Sequence, residues 1–132
     1  MTRIYLDSAP VIYSVERVAP WYQAVDAKLS AAGVTRLVSD LTRMECRVGP
    51  IRSGNVMLLA DFDDFFLRSV GAVLSLSPPV CDRAAEIRAR FALKTPDAIH
   101  LAAATLAGCD VFLTNDRRLA GFPGIVVEIV GP

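Results

Sequence analysis

The sequence predicts a three-layer α/β/α fold on a central parallel sheet of about five strands, and three observations carry that expectation. Short apolar runs bounded by turn residues recur at residues 3–6, 34–38, 72–76, 110–114 and 125–130. Longer segments between them repeat their apolar residues at helical spacing, and strands alternating with helices imply a parallel sheet covered on both faces. The 132 residues, 53% hydrophobic, hold no internal repeat, low-complexity tract or Gly/Ser-rich linker, so one domain over residues 1–132 is expected.

The first strand, Arg3-Ile4-Tyr5-Leu6, ends at Asp7, after which Ser8 offers an N-cap and Pro10 a first-turn residue for a helix to about Arg17. Val18, Tyr22, Val25, Leu29 and Ala32 step by four and three, which predicts an amphipathic helix stopped by Gly33. After the second strand, Ser39 or Asp40 can cap a helix whose Leu41, Met44 and Val48 share one face, with Glu45 beside that stripe and Gly49-Pro50 as the break. Residues 53–70 read as a helix with more apolar surface than one stripe hides: Val56, Met57, Leu58, Leu59, Phe62, Phe65, Phe66 and Leu67. A second protomer or another partner chain is expected to cover it. Asp61, Asp63 and Asp64 read as its solvated face.

Pro78-Pro79 opens a helix with core positions Val80, Ala84, Ile87 and Phe91, and Thr95-Pro96-Asp97 starts another that is apolar nearly all round and so expected to be buried. The fourth strand ends in Asn115-Asp116, and a turn at 121–124 leads to the fifth. In an open parallel sheet the ligand site lies beyond the carboxyl ends of the strands. Asp7 and Asp116 fall there, and right-handed crossovers bring Glu45 and Asp97 to the same edge.

Taken singly, each acid has an ordinary structural use: Asp7 as a helix cap, Glu45 as a solvated helix residue, Asp97 and Asp116 at positive helix N-termini. Taken together they repel and raise one another's pKa unless a cation neutralises them. Oxygen ligands without histidine or thiolate partners select Mg²⁺, with Mn²⁺ able to substitute, and phosphodiester hydrolysis by activated water fits such an ion. Cys46, Cys81 and Cys109 are odd in number and widely spaced, and His100 is the single histidine, so neither a disulfide framework nor a Cys/His zinc site is expected.

The segments Tyr5-Leu6-Asp7-Ser8, Leu41-Thr42-Arg43-Met44-Glu45-Cys46, Thr95-Pro96-Asp97-Ala98-Ile99-His100 and Leu113-Thr114-Asn115-Asp116, in this order, resemble PIN-domain ribonucleases of the VapC toxin type. The resemblance spans nearly the whole chain, and the joint spacing is far more specific than any one segment. It implies a PIN-like domain, with Asp7, Glu45, Asp97 and Asp116 as catalytic, metal-holding acids and Thr114 orienting them. Ser8 matches the small polar residue that follows the first aspartate, whereas Ala9 stands where the family often has another polar residue. The resemblance also implies an RNA substrate cut to 5′-phosphate and 3′-hydroxyl ends, a homodimer, and a cognate antitoxin that occludes the pocket.

Asn115 is a candidate for contact with phosphate or with metal-bound water, and equally an ordinary turn residue. Arg43, Arg47 and Arg52 flank Glu45, and Arg117 and Arg118 follow Asp116; of these Arg43, Arg47 and Arg117 are the candidates for RNA phosphate contact. Trp21, Tyr22, Phe62 and Phe65 are read as packing rather than base-stacking residues. His100, one helical turn after Asp97, is close enough to donate a hydrogen bond behind the metal-holding acids or to touch substrate, but a lone histidine on an apolar helix is read as packing. With 14 basic and 14 acidic residues there is no overall positive field, so nucleic-acid contact must be local. No run of about 18 apolar residues and no secretory signal is present, so a cytoplasmic protein without membrane contact is expected.

Two other functions compete. A phosphoacceptor signalling domain needs an acid at the end of a central strand and a nearby lysine, but the third strand ends Leu74-Ser75-Leu76-Ser77 and the only lysines are Lys28 and Lys94. A catalytically silent PIN-like binding module has no need to retain four clustered acids.

Overall fold

Residues 1–131 are described by a computed structural model of the chain. The elements run β1 (Thr2–Leu6), α1 (Ser8–Glu16), α2 (Trp21–Leu29), β2 (Val34–Ser39), α3 (Asp40–Ser53), α4 (Val56–Arg68), β3 (Ala72–Leu74), α5 (Pro78–Phe91), α6 (Thr95–Leu106), β4 (Val111–Thr114), a 3-10 turn (Arg117–Gly121) and β5 (Val126–Ile129). The five strands are parallel in the order β3-β2-β1-β4-β5. Chain progression leaves β1 toward β2 on one side and resumes at β4 on the other, so the crevice beyond β1 and β4 is the switch point of a doubly wound sheet.

Alternation along β1 assigns the layers, because successive side chains point to opposite faces. Ile4 and Leu6 join Val38, Leu113 and the α1–α4 residues Val11, Val25, Cys46, Phe62, Phe65 and Phe66 in one core. Tyr5 and Phe112 join Val80, Ala84 and Ile87 of α5 and Ala98, Leu101 and Ala102 of α6 in the other. The three-layer α/β/α expectation holds, with α6 enclosed as its composition implies.

Several local expectations change. Asp7, not Ser8, is the N-cap of α1, since its side chain accepts from the Ser8 N–H at 2.8 Å. The helix expected from Val18 is the shorter α2, because Pro20 keeps the preceding residue out of helical conformation. Gly49-Pro50 does not end α3; Pro50 is buried within the last turn, and the helix closes at Gly54, whose φ of 69° is the left-handed C-cap geometry glycine allows. The buried stripe of α3 is Leu41, Thr42, Cys46 and Pro50, which leaves Met44 56% and Val48 43% exposed instead of facing the core.

On α4, which begins at Val56 after the Asn55 cap, Phe62, Phe65 and Phe66 enter the chain's own core, and the uncovered residues are Val56, Met57 and Leu67. The solvated side is as expected, with Asp63 meeting Arg43 and Arg47 and Asp64 meeting Arg68 at 2.7 Å. Phe91 is 41% exposed at the end of α5, edge-on to Phe122, rather than in the core. Among the described residues no helix is long and apolar enough to cross a membrane, and the three cysteines are free.

Candidate active site

Asp7 leaves the central strand at the switch point, where its backbone N–H still donates to Leu113 O at 3.0 Å. One carboxylate oxygen is held by the Ser8 N–H and the other by the Thr114 hydroxyl at 2.7 Å. Thr114 is fully buried at the end of β4, and its oxygen also accepts from the Asp116 N–H at 3.1 Å. One hydroxyl therefore ties the first and fourth strand ends together and fixes the spacing between Asp7 and Asp116.

Glu45 lies beside the buried stripe of α3 and reaches toward α1 and α6. Its Oε1 accepts from the Ser8 hydroxyl at 2.6 Å and lies 2.6 Å from His100 Nε2. His100 Nε2 is also 3.5 Å from Asp7. Carboxylate and imidazole ligand atoms of Asp7, Glu45 and His100 all lie within 4.8 Å of one another. Asp97, one turn before His100, stands in the first turn of α6, where the helix N-terminus favours a negative charge. Asp116 caps the 3-10 turn through the Arg118 N–H at 3.0 Å, and the Arg118 guanidinium grips the same carboxylate while standing 3.8 Å from Asp97.

The electrostatics divide the acids. Burial pushes the Asp97 carboxyl up, and the charges of Asp7 and Asp116 add to the rise, only partly offset by Arg118 and His100. Burial also acts to raise Glu45, but hydrogen bonds from His100 and Ser8 outweigh it and hold the group below the ordinary carboxylate range. Asp116 is held low chiefly by Arg118. Helix N-termini, hydroxyls and one arginine thus relieve part of the repulsion, while the Asp97 carboxyl stays raised.

The predicted residues sort accordingly. Asp7, Glu45, Ser8 and Thr114 are joined by direct hydrogen bonds, and Asp97 and Asp116 border them. Asn115 is turned elsewhere, donating to the Tyr13 hydroxyl at 2.6 Å on the exposed side. Arg43 and Arg47 pair with Asp63, and Arg117 is exposed. His100, expected as packing, is buried but bonded at both ring nitrogens, with Nδ1 2.7 Å from the Tyr5 hydroxyl. For Tyr5 the sequence offers one signal, a hydroxyl between the apolar Ile4 and Leu6 of the central strand, which needs a buried partner.

The sequence matches the PIN domain family over residues 4–124. No curated protein is matched by sequence. Among solved structures the chain is similar to VapBC2 from Rickettsia felis bound to a promoter DNA fragment, at 16% identity, 98% and 100% coverage of the two chains and a TM-score of 0.80. It is likewise similar to DNA-bound VapBC from Salmonella typhimurium, at 23% identity, 98% of each chain and a TM-score of 0.77. A third similar structure is VapC20 from Mycobacterium tuberculosis, described as a sarcin-ricin loop cleaving toxin, at 15% identity, 93% and 98% coverage and a TM-score of 0.74. These likenesses are likenesses of fold, and with the family match over residues 4–124 they lead to one conclusion: the chain belongs to the PIN domain family.

Proposed function

We propose that this single domain is a metal-dependent endoribonuclease of the VapC toxin type, acting on RNA phosphodiester bonds and restrained by an antitoxin. The observation that carries the reading is the convergence of Asp7, from the end of β1, and Glu45, from α3, with His100 between them and Asp97 at their border, its carboxyl raised first by burial and then by the neighbouring acids. The donor set fits a hard divalent cation: Asp7, Glu45, Asp97 and Asp116 offer carboxylate oxygens, and Mg²⁺ or Mn²⁺ suits them. Such a cation, when bound, supplies water activation and neutralises charge on a phosphate.

The chain's own contribution is orientation. Thr114 and the Ser8 N–H leave Asp7 little freedom, and the Ser8 hydroxyl directs Glu45 toward it. Arg118 places a positive group at the pocket's edge, next to Asp97 and Asp116, where it can meet a substrate phosphate. Arg117, exposed just beyond Asp116, can extend that basic edge, while Arg43 and Arg47, which pair with Asp63 of α4, are candidates for RNA contact on a different face of α3. Combined replacement of Arg43, Arg47 and Arg117 by Ala is expected to weaken RNA binding with the fold intact; unchanged affinity rules these arginines out as RNA contacts. The similar structures described as VapBC complexes support an antitoxin as partner, and a homodimer in the cytoplasm belongs to the same reading. Exposed Met44, Val48 and Met57 leave apolar surface for a protein partner.

The test is incubation of antitoxin-free protein with total cellular RNA in Mg²⁺ or Mn²⁺, beside EDTA, Asp7→Asn and Asp97→Asn controls. Discrete cuts lost in every control are expected. No cutting by folded wild-type protein at any metal concentration overturns the nuclease reading in favour of a silent binding module.

A further inference from the structure

Behind Glu45 a chain of buried polar side chains runs to the start of α3. Tyr5 is fully buried with its ring stacked on Phe112, centroids 5.3 Å apart, so its ring alone fills the core position. Its hydroxyl instead sits among three polar side chains: Ser39 Oγ at 2.8 Å, Thr42 Oγ1 at 3.3 Å and His100 Nδ1 at 2.7 Å. Ser39 and Thr42 form the capping box that starts α3, the helix that carries Glu45 one turn later. His100, 1% exposed, spans from this hydroxyl to Glu45 Oε1 at 2.6 Å. Among the described residues no buried side-chain nitrogen or oxygen lacks a partner, so the chain is closed at every link.

We propose that Tyr5 and His100 are positioning residues: a buried strut, anchored in the α3 capping box, that sets the direction of the Glu45 carboxylate for the divalent cation. The inference rests on reading the pocket as a cation site. An ionised carboxylate only accepts, so the ring nitrogen facing Glu45 carries a hydrogen and its lone pair is not free to bind a metal. While that hydrogen is in place His100 acts through Glu45 rather than as a ligand, and the cation's protein donors are then all oxygen. Carboxylates that hold a metal are themselves hydrogen-bonded by residues behind them, and losing such a partner typically lowers metal affinity or activity about 10- to 100-fold. The Ser8 hydroxyl holds the same oxygen from the opposite side, so Glu45 is clamped between α1 and α6.

His100 is the only histidine, so its ring resonances identify themselves in ¹⁵N-labelled protein. In the metal-free state the strut requires a slowly exchanging Nε2 proton, lost in Glu45→Gln and shifted in Tyr5→Phe. Mn²⁺ titration is then read on folded variants: His100→Leu should weaken binding about 10- to 100-fold, Tyr5→Phe by less, and His100→Gln, which restores an N–H donor, should recover part of the loss. The spin-echo spectrum of the Mn²⁺-loaded wild type should show no directly bound nitrogen. Wild-type Mn²⁺ affinity in both His100→Leu and Tyr5→Phe overturns the strut, as does a nitrogen ligand. If His100→Leu does not fold, Tyr5→Phe and His100→Gln carry the comparison. No Mn²⁺ binding by the wild type, with the Nε2 proton still in place, instead overturns the cation pocket and with it the strut's role.

Discussion

Asp97 has the least comfortable charge in the pocket, and the sign of its effect on stability follows. Its carboxyl is raised in the folded chain, so the folded state binds more protons; the resulting stability is present in acid and is lost as pH rises through the folded value. Metal-free Asp97→Asn should therefore melt above the wild type at neutral pH, with the gap closing as pH falls through the carboxylate range. Mg²⁺ should raise the wild type much more than the variant. Thermal melts in EDTA and in Mg²⁺ across pH check this, and a variant less stable than wild type at neutral pH would contradict it. Glu45 has the opposite sign: held low despite burial, it contributes stability above its unfolded value that disappears in acid. Thr114→Val removes the donor to Asp7 and leaves the Asp116 N–H without its acceptor. It is expected to cost about 1–3 kcal/mol in denaturant melts and about 10- to 100-fold in cleavage. Asp7 and Asp97 were legible in the sequence because a strand end and a helix start are local signals. The network of Tyr5 and His100 was not, since Tyr5 meets Ser39 across 34 positions and Glu45 meets His100 across 55.

Among elements, α4 shows how composition and placement differ. Its apolar surplus was legible, but which residues the chain would bury depended on the angle at which the helix lies against α3 and α1. Phe62, Phe65 and Phe66 turn inward, so Phe62→Ala should cost about 3–5 kcal/mol in a urea melt. Met57→Ser, at an 81% exposed position, should change the stability of the isolated chain by less than about 0.5 kcal/mol. A comparable loss at both positions would mean that α4 is not docked as described. The α3 helix failed the simple rule that Gly-Pro ends a helix, because burial of Pro50 and the Gly54 cap stabilise one further turn. That extra turn carries Arg52 and Ile51, and the helix presents Met44 and Val48 to solvent where a regular stripe would have hidden them.

For the whole molecule, the order β3-β2-β1-β4-β5 explains why acids distant in sequence share one pocket. Strands alternating with helices made the parallel sheet predictable, and the rule that sites lie beyond strand carboxyl ends located Asp7 and Asp116. The strand order and the layer from which each helix contributes were not legible, and these decide that α3 and α6 approach from opposite faces with Glu45 and His100 in contact. Charge balance gives the molecule no long-range pull on RNA, so binding should depend on a few local contacts and fall only modestly with salt. The most direct test of the central claim is anomalous diffraction from crystals soaked in Mn²⁺, for the wild type and for Asp7→Asn. Manganese is expected against the carboxylates of Asp7, Glu45, Asp97 and Asp116 and is lost in the variant; manganese absent from this pocket in a protein that cleaves RNA would contradict the metal-dependent mechanism.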